Sequence, residues 1–364
     1  MGRIETKFKQ TEAGLIPEDW EVKKLVESIK IITPRKKIPL SQYLPIGSIP
    51  VIDQSKSIIS GYTNDLQALI KQNLPLIIFG DHTCIIKIIF FQFAQGADGV
   101  KVFYGEEEII TPYLFYSLLL NPIKIEDYKR HFLKLKNKIV SFPPTKTEQT
   151  AIANALSDAD GYIESLEKLI DKKQKIKQGA MQQLLKPKPH WVLNRLGDVV
   201  KIKKGELITN NTRVDGNIPV IAGGRSFAYH NNKANRFGKT ITISASGASA
   251  GYIAFHNYPI FASDCSTIEE DKNYSIEFIF FFLQLLQEKI YKMQTGGAQP
   301  HIHPSDLNPI EIIIPNKKSE QEEIAKILSD MDSEISTLTK KLTKAKAIKQ
   351  GMMQQLLTGK IRLV

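Results

Sequence analysis

Only two cysteines, Cys84 and Cys265, occur in 364 residues. Two thiols so far apart supply neither a disulfide framework nor a thiolate cluster for zinc or iron–sulfur, and buried free thiols are expected. No apolar run is long enough to span a bilayer: the nearest, LIIFGDHTCIIKIIFF at 76–91, is broken by Asp81, His82 and Lys87. The stretch MGRIETKFKQTEAG lacks the apolar core of a secretory signal, so a cytoplasmic location with no membrane partner is expected. Catalytic signatures are equally scarce. No glycine-rich cofactor loop follows a strand. SFPPT (141–145) has Phe142 where an Asn/Asp-Pro-Pro-aromatic motif needs its amide or acid. RFGKT (236–240) ends like a phosphate-binding loop, but Lys233 stands in place of its first glycine. The Glu-x-Lys of EDWEVK (18–23) has only the adjoining Asp19 as a partner acid, and His301 and His303 lack a nearby Cys or acidic triad for zinc. The expectation is a chain with no catalytic residue and no metal.

What is abundant is positive charge. A formal net charge of +11 suits a polyanion such as nucleic acid. The length allows two domains, each with its own core.

A repeat organises the rest. KQGAMQQLL (177–185) returns as KQGMMQQLL (349–357), and an offset of 172 aligns the segments ahead of both phrases without a gap. Ile152, Leu156, Ile163, Leu166 and Ile170 fall on Ile324, Leu328, Ile335, Leu338 and Leu342, at the alternating three- and four-residue spacing of a coiled-coil seam. Acidic residues lead and lysines follow, as the helix dipole favours. Thr145 to Glu148 and Ser319 to Glu322 have the form of capping boxes. Gly179 and Gly351 mark a kink or a close helix contact. Each helix of about 39 residues would be roughly 58 Å long.

The segments ahead of the helices are related with a drifting offset: SIPVI (48–52) matches NIPVI (217–221), Gly80 matches Gly247, and Asp98 matches Asp264. The expected fold is α+β with an internal pseudo-two-fold. Globular parts at 1–144 and 187–316 are each followed by a spacer helix, at 145–186 and 317–364, and the helices are antiparallel. Such a chain suits two separated half-sites on double-stranded DNA. The drift fits two globular parts reading different sequences, and the constant helices fit a ruler; coiled-coil packing alone also disfavours insertions there.

Basic and amide side chains on Gly- and Asn-rich loops are the candidate DNA contacts. In the first globular part these are Arg35, Lys36, Lys37, Lys56, Tyr62 and Asn64. In the second they are Lys203, Lys204, Arg213, Arg225, Asn231, Asn232, Lys233, Arg236 and Lys239.

GLIPEDWEVKKL (14–25), FGDHT (79–83), GADGVKVF (96–103), GASAGYIAF (247–255), ASDCSTI (262–268), TGGAQPHI (295–302) and the twin EQ..IA..LSD.D helices together resemble the specificity subunit of a type I restriction-modification enzyme. The resemblance implies a non-catalytic subunit whose two target recognition domains read the halves of a bipartite site. The helix pair would set the gap and bind two modification subunits. It implies S-adenosylmethionine on those adenine methyltransferase subunits, ATP and Mg on the restriction subunits, and no cofactor on this chain. One departure stands out: TGGAQPHI has no clear twin before the first helix, where YKRHFLKLKNK (128–138) occurs. The alternative is a standalone two-domain DNA-binding repressor.

Overall fold

The computed structural model describes residues 7–96, 99–125 and 130–363; Asp98 and the start of the YKRHFLKLKNK stretch lie outside them. The chain divides into two compact units, Met1–Glu167 with Lys341–Val364, and Lys168–Lys340.

The first unit runs β1 (Phe8–Thr11), β2 (Gly14–Pro17), β3 (Glu21–Lys24), β4 (Ile29–Ile32), β5 (Ile49–Ile52), β6 (Gly61–Thr63), β7 (Leu76–Gly80), β8 (Ile86–Ile89), β9 (Ala94–Gln95), β10 (Val100–Gly105), α1 (Thr111–Leu120), α2 (Phe132–Lys136), β11 (Ile139–Phe142) and the first part of α3 (Lys146–Leu184). The second continues from α3 through β12 (Trp191–Arg195), α4 (Leu196–Val199), β13 (Ile202–Lys204), β14 (Ile218–Ile221), β15 (Tyr229–Asn231), β16 (Thr240–Ser244), β17 (Ile253–His256), β18 (Phe261–Ala262) and β19 (Cys265–Glu269). It ends with α5 (Ile276–Leu285), α6 (Gln287–Tyr291), α7 (Pro304–Leu307), β20 (Glu311–Pro315) and the first part of α8 (Lys318–Leu356).

The two units share one topology. Four-stranded sheets run β4-β10-β7-β8 and β13-β19-β16-β17, three-stranded sheets β6-β5-β9 and β15-β14-β18, and two-stranded ribbons β11-β3 and β12-β20. Registers coincide as well, with Ile78 opposite Lys87 in one and Thr242 opposite Ala254 in the other. The drifting offset therefore reflects loops of unequal length between equivalent strands.

Central strands differ in what they bury. In β7, Ile77 and Phe79 pack with Tyr113 and Leu114 of α1, while Leu76 and Ile78 join Val100, Val102 and Phe93 in a second apolar cluster. In β16, Ile241 and Ile243 face the helix-side core, but the other face carries buried Thr240 and Thr242, with Thr267 of β19 opposite Thr242. Period-two alternation thus puts hydroxyls in the second unit where the first has aliphatics.

Both long helices are 39 residues, and their bounds coincide at the 172 offset. Within the first unit, Asp160 of α3 pairs with Lys349 of α8 at 2.5 Å and Glu167 with Lys346 at 2.7 Å. Residue numbers rise along one helix as they fall along the other, so the pair is antiparallel. In the second unit Lys177 pairs with Asp332 at 2.6 Å and Lys173 with Glu334 at 2.7 Å. Asp160–Lys349 and Asp332–Lys177 are one contact made twice. Its lysine opens the repeated KQG phrase and lies over an aromatic ring of its own unit, Tyr116 at 5.6 Å or Phe281 at 5.2 Å.

The structure revises four expectations. Ile152, Leu156, Ile324 and Leu328 are part of the globular cores, because the first turns of each helix are sunk into its own domain. Farther along, Ile163 and Leu166 are buried, while Ile170, Ile335, Leu338 and Leu342 are half-buried, as a two-helix seam leaves them. The first capping box is incomplete, since Thr145 Oγ1 accepts from Glu148 N at 3.3 Å but the Glu148 carboxylate turns to Arg362, and the second does not form, since Ser319 already lies inside α8. TGGAQPHI does have a backbone counterpart, since His131 N donates to Asp81 O and Ile302 N to Ala245 O, both at 2.9 Å and at equivalent hairpin positions.

The fourth revision concerns the phrase glycines. A Cβ at Gly179 or Gly351 would meet nothing within 4 Å, and both residues lie inside unbroken helices. Neither marks a close contact. Gly179→Ala and Gly351→Ala are each expected to stabilise the chain by about 1 kcal/mol, the helix-propensity difference, measured as a raised denaturation midpoint. Weaker assembly despite that gain would show that a partner uses the missing side chain.

Candidate nucleic-acid interface

The candidate contacts fall on hairpin loops and on the edges of the four-stranded sheets. In the first unit Arg35 and Lys36 are exposed and line, with Gln67, Lys71 and Gln72, an open groove of about 660 Å³. Lys36 also pairs with Asp65 at 2.5 Å. Lys37 is exposed beside them, and Lys56 is exposed on the loop joining β5 and β6. Tyr62 is half-buried in β6, and its backbone exchanges hydrogen bonds with Leu44. Asn64 is exposed, but its Oδ1 accepts from Ser48 N at 2.9 Å and Ser48 Oγ at 3.1 Å, closing the loop at Gly47.

In the second unit the structure separates surface from interior. Lys204, Arg225, Asn232 and Lys233 are exposed. Lys203 pairs with Glu269 at 2.6 Å, Lys239 with Glu277 at 2.5 Å, and Arg213 with Asp215. Exposed pairs of this kind are weak and exchange readily for a phosphate. Asn231 and Arg236 lie inside. Asn231 Oδ1 accepts from Val214 N and its Nδ2 donates to Lys233 O. Arg236 Nε donates to Thr267 Oγ1 at 2.9 Å, Nη1 to Asn235 O at 2.7 Å and Nη2 to Lys204 O at 3.0 Å. These two are fastenings of the loop, because a buried guanidinium whose N–H groups serve the domain's own backbone is costly to extract. Neither is retained as a surface contact.

Sequence reading passed over the wall of a small cleft in this unit. Tyr252, His256 and Tyr258 line about 170 Å³ together with Arg225 and Phe227. The only signal was the alternation in GYIAFHNY, which turns Tyr252, Ala254 and His256 to one face of β17. Burial lowers the His256 pKa to about 4, and its Nε2 meets Thr242 Oγ1 at 2.9 Å. Lys188 and His190 hold the Glu320 carboxyl at about 2.

Both groups bind fewer protons folded than unfolded. Stability of the second unit is therefore expected to fall as pH drops from 6.5 through about 4 for His256, and again from 4.5 through about 2 for Glu320. The first step amounts to about 3 kcal/mol at most. Thermal melts at stepped pH check this, and His256→Gln should remove the upper step alone.

Two like α+β units, each built with part of an antiparallel helix pair, define the class as a duplicated two-unit architecture. The family model for the "Type I restriction modification DNA specificity domain" matches residues 189–347. The chain is 27% identical to the putative type I restriction enzyme MjaX specificity subunit of Methanocaldococcus jannaschii, over 99% of this chain and 97% of that one. It is 26% identical to a putative type I specificity subunit of Mycoplasma genitalium, over 69% and 68% of the two chains. The crystal structure of a type I restriction-modification S subunit from M. genitalium superposes with a TM-score of 0.76 at 18% identity, covering 96% of this chain and 98% of that one. Across nearly its whole length the chain is thus similar to specificity subunits of type I restriction-modification systems. Among the described residues no helix is long and apolar enough to cross a membrane.

Proposed function

We propose that this chain reads a bipartite site on double-stranded DNA, each globular part acting as a target recognition domain for one half. The observation that carries the reading is one sheet topology built twice, with different cations and amides on equivalent loops. Similar frames with dissimilar loops suit two readers of unlike sequence, and the net charge of +11 favours a polyanion. In this reading the helix pair fixes the unread gap and docks two modification subunits. Those subunits bring S-adenosylmethionine and methylate adenine. Restriction subunits join with ATP and Mg, while this chain binds no cofactor and works in the cytoplasm. Support for the partners comes from a structure described as the basis of complex assembly and conformational transition of the type I R-M system, which superposes at a TM-score of 0.51.

Footprinting on DNA with the purified chain, alone and with modification subunits, tests the reading. Protection of a split site by the assembled complex supports it. Tight specific binding by the chain alone, with no association to a methyltransferase, would favour a standalone repressor.

A further inference from the structure

The loops at the tips of two equivalent hairpins carry a feature that the fold does not require. In the first unit β5 and β6 are joined by residues 53–60, closed by Ser60 N to Val51 O at 2.9 Å. In the second, β14 and β15 are joined by 222–228, closed by Ala228 N to Val220 O at 2.9 Å. Counted forward from β5 and β14, with the extra residue of the longer first loop placed on its return side, Lys56-Ser57-Ile58 falls on Arg225-Ser226-Phe227. The residues just before them, Asp53-Gln54-Ser55 and Ala222-Gly223-Gly224, have nothing in common. A cation, a serine and a large apolar residue are thus repeated on loops that otherwise diverged.

Ile58 is 61% exposed and Phe227 53% exposed, so neither was kept for a core. Among the described residues no carboxylate lies within ion-pair distance of Lys56 or Arg225, unlike Lys36, Lys203, Arg213 and Lys239.

The two tips are held differently. Lys87 of β8 is buried and donates to Asp53 O at 3.0 Å and Ser57 O at 2.5 Å, fixing the first tip from beneath. The Asp53 carboxylate adds bonds from Ser55 N and Ser60 Oγ. Ala254 stands at the register of Lys87 in the second unit. There Ser244 Oγ donates to Gly223 O at 2.7 Å, Arg225 lies 5.4 Å from the Tyr252 ring centre, and the cleft of about 170 Å³ opens below. The first tip is braced, whereas the second has room to adjust.

We propose that these two tips are the base-reading fingers of the units, a proposal that rests on the DNA-reading function. In each, the cation donates to guanine O6 and N7 in the major groove, and the apolar side chain two residues on packs against the methyl group of a neighbouring thymine. Arg225 makes two parallel bonds through its planar fork, so its guanine requirement is the stricter one; Lys56 donates from a single ammonium.

The test uses the full chain assembled with its modification subunits, titrated with duplexes in which each base pair of the split site is replaced in turn. Arg225→Ala should flatten the preference at one base pair of one half-site by on the order of 10- to 100-fold and leave the other half-site's profile intact. Phe227→Ala should relax an adjoining position. Lys56→Ala and Ile58→Ala should do the same in the opposite half-site, Lys56→Ala by the smaller factor. If the variants weaken binding to every duplex equally, the tips touch phosphate only and the proposal falls. An unchanged profile beside a normal wild-type complex also overturns it, by itself. A wild-type complex with no split-site preference would overturn the functional reading and this proposal together.

Discussion

Arg362→Ala is expected to destabilise the first unit by about 3–5 kcal/mol, the cost of leaving a buried charge without its partner. Arg362 Nε donates to Glu148 Oε1 at 2.6 Å and Nη2 to Oε2 at 2.8 Å, a two-pronged grip on a carboxylate that is 1% exposed. Its other edge holds Asp19 at 2.9 and 2.8 Å, and its plane lies 5.9 Å from the Trp20 ring centre. The guanidinium thus joins the segment after α8, the start of α3 and the turn before β3. The arginine's hydrogen bond is the main reason the Asp19 pKa is lowered, but Asp19 is half-exposed, so Asp19→Ala should cost less than about 1 kcal/mol. Glu148→Gln in the Arg362→Ala background should recover part of the loss, because an unpaired amide is cheaper to bury than a carboxylate. Urea denaturation of the four chains checks the ranking. Equal midpoints for Arg362→Ala and Asp19→Ala would show that Glu148 is hydrated.

Gln149→Leu is the second large effect, about 3–5 kcal/mol, because three backbone groups lose their partner at once. Gln149 is fully buried; its Oε1 accepts from Ile110 N at 2.8 Å, and its Nε2 donates to Glu108 O at 2.8 Å and Pro143 O at 2.9 Å. The side chain substitutes for a strand at the junction of helix and globular part. Gln321 repeats the device with one bond fewer, accepting from Ser275 N at 2.9 Å and donating to Pro315 O at 2.8 Å. Gln321→Leu should therefore cost less, about 2–3 kcal/mol. A larger loss at Gln321 than at Gln149 would contradict the accounting by hydrogen bonds.

These two sites show where sequence reading stops. The helices were legible because a three-and-four apolar spacing repeated at a constant offset leaves no competing structure, and the observed bounds keep that offset. The paired Glu-Gln was visible as a repeat, yet its role was not: two of the three groups Gln149 serves lie 39 and 41 residues away, beyond any local pattern. Arg236 sits in an Asn- and Gly-rich loop that reads as solvated. Its burial follows from Thr267, and a hydroxyl-bearing sheet face in one unit was not foreseeable from the aliphatic face of the other. Lys36, Lys204, Arg225, Asn232 and Lys233 are on the surface, as loop composition implied. Gly179 and Gly351 misled, because glycine in a helix signals a close approach only when something approaches. Lys177 and Lys349 at the head of the same phrases close the helix pair through Asp332 and Asp160.

The central claim is that each unit reads its own half of one split DNA site. The most direct measurement is to map methylated adenines in a host carrying the complete system, first with this chain and then with residues 187–316 exchanged for the matching part of a relative. The account predicts a bipartite motif in which the exchange alters one half and leaves the other half and the gap unchanged. A continuous motif, or an exchange that alters both halves together, would contradict it.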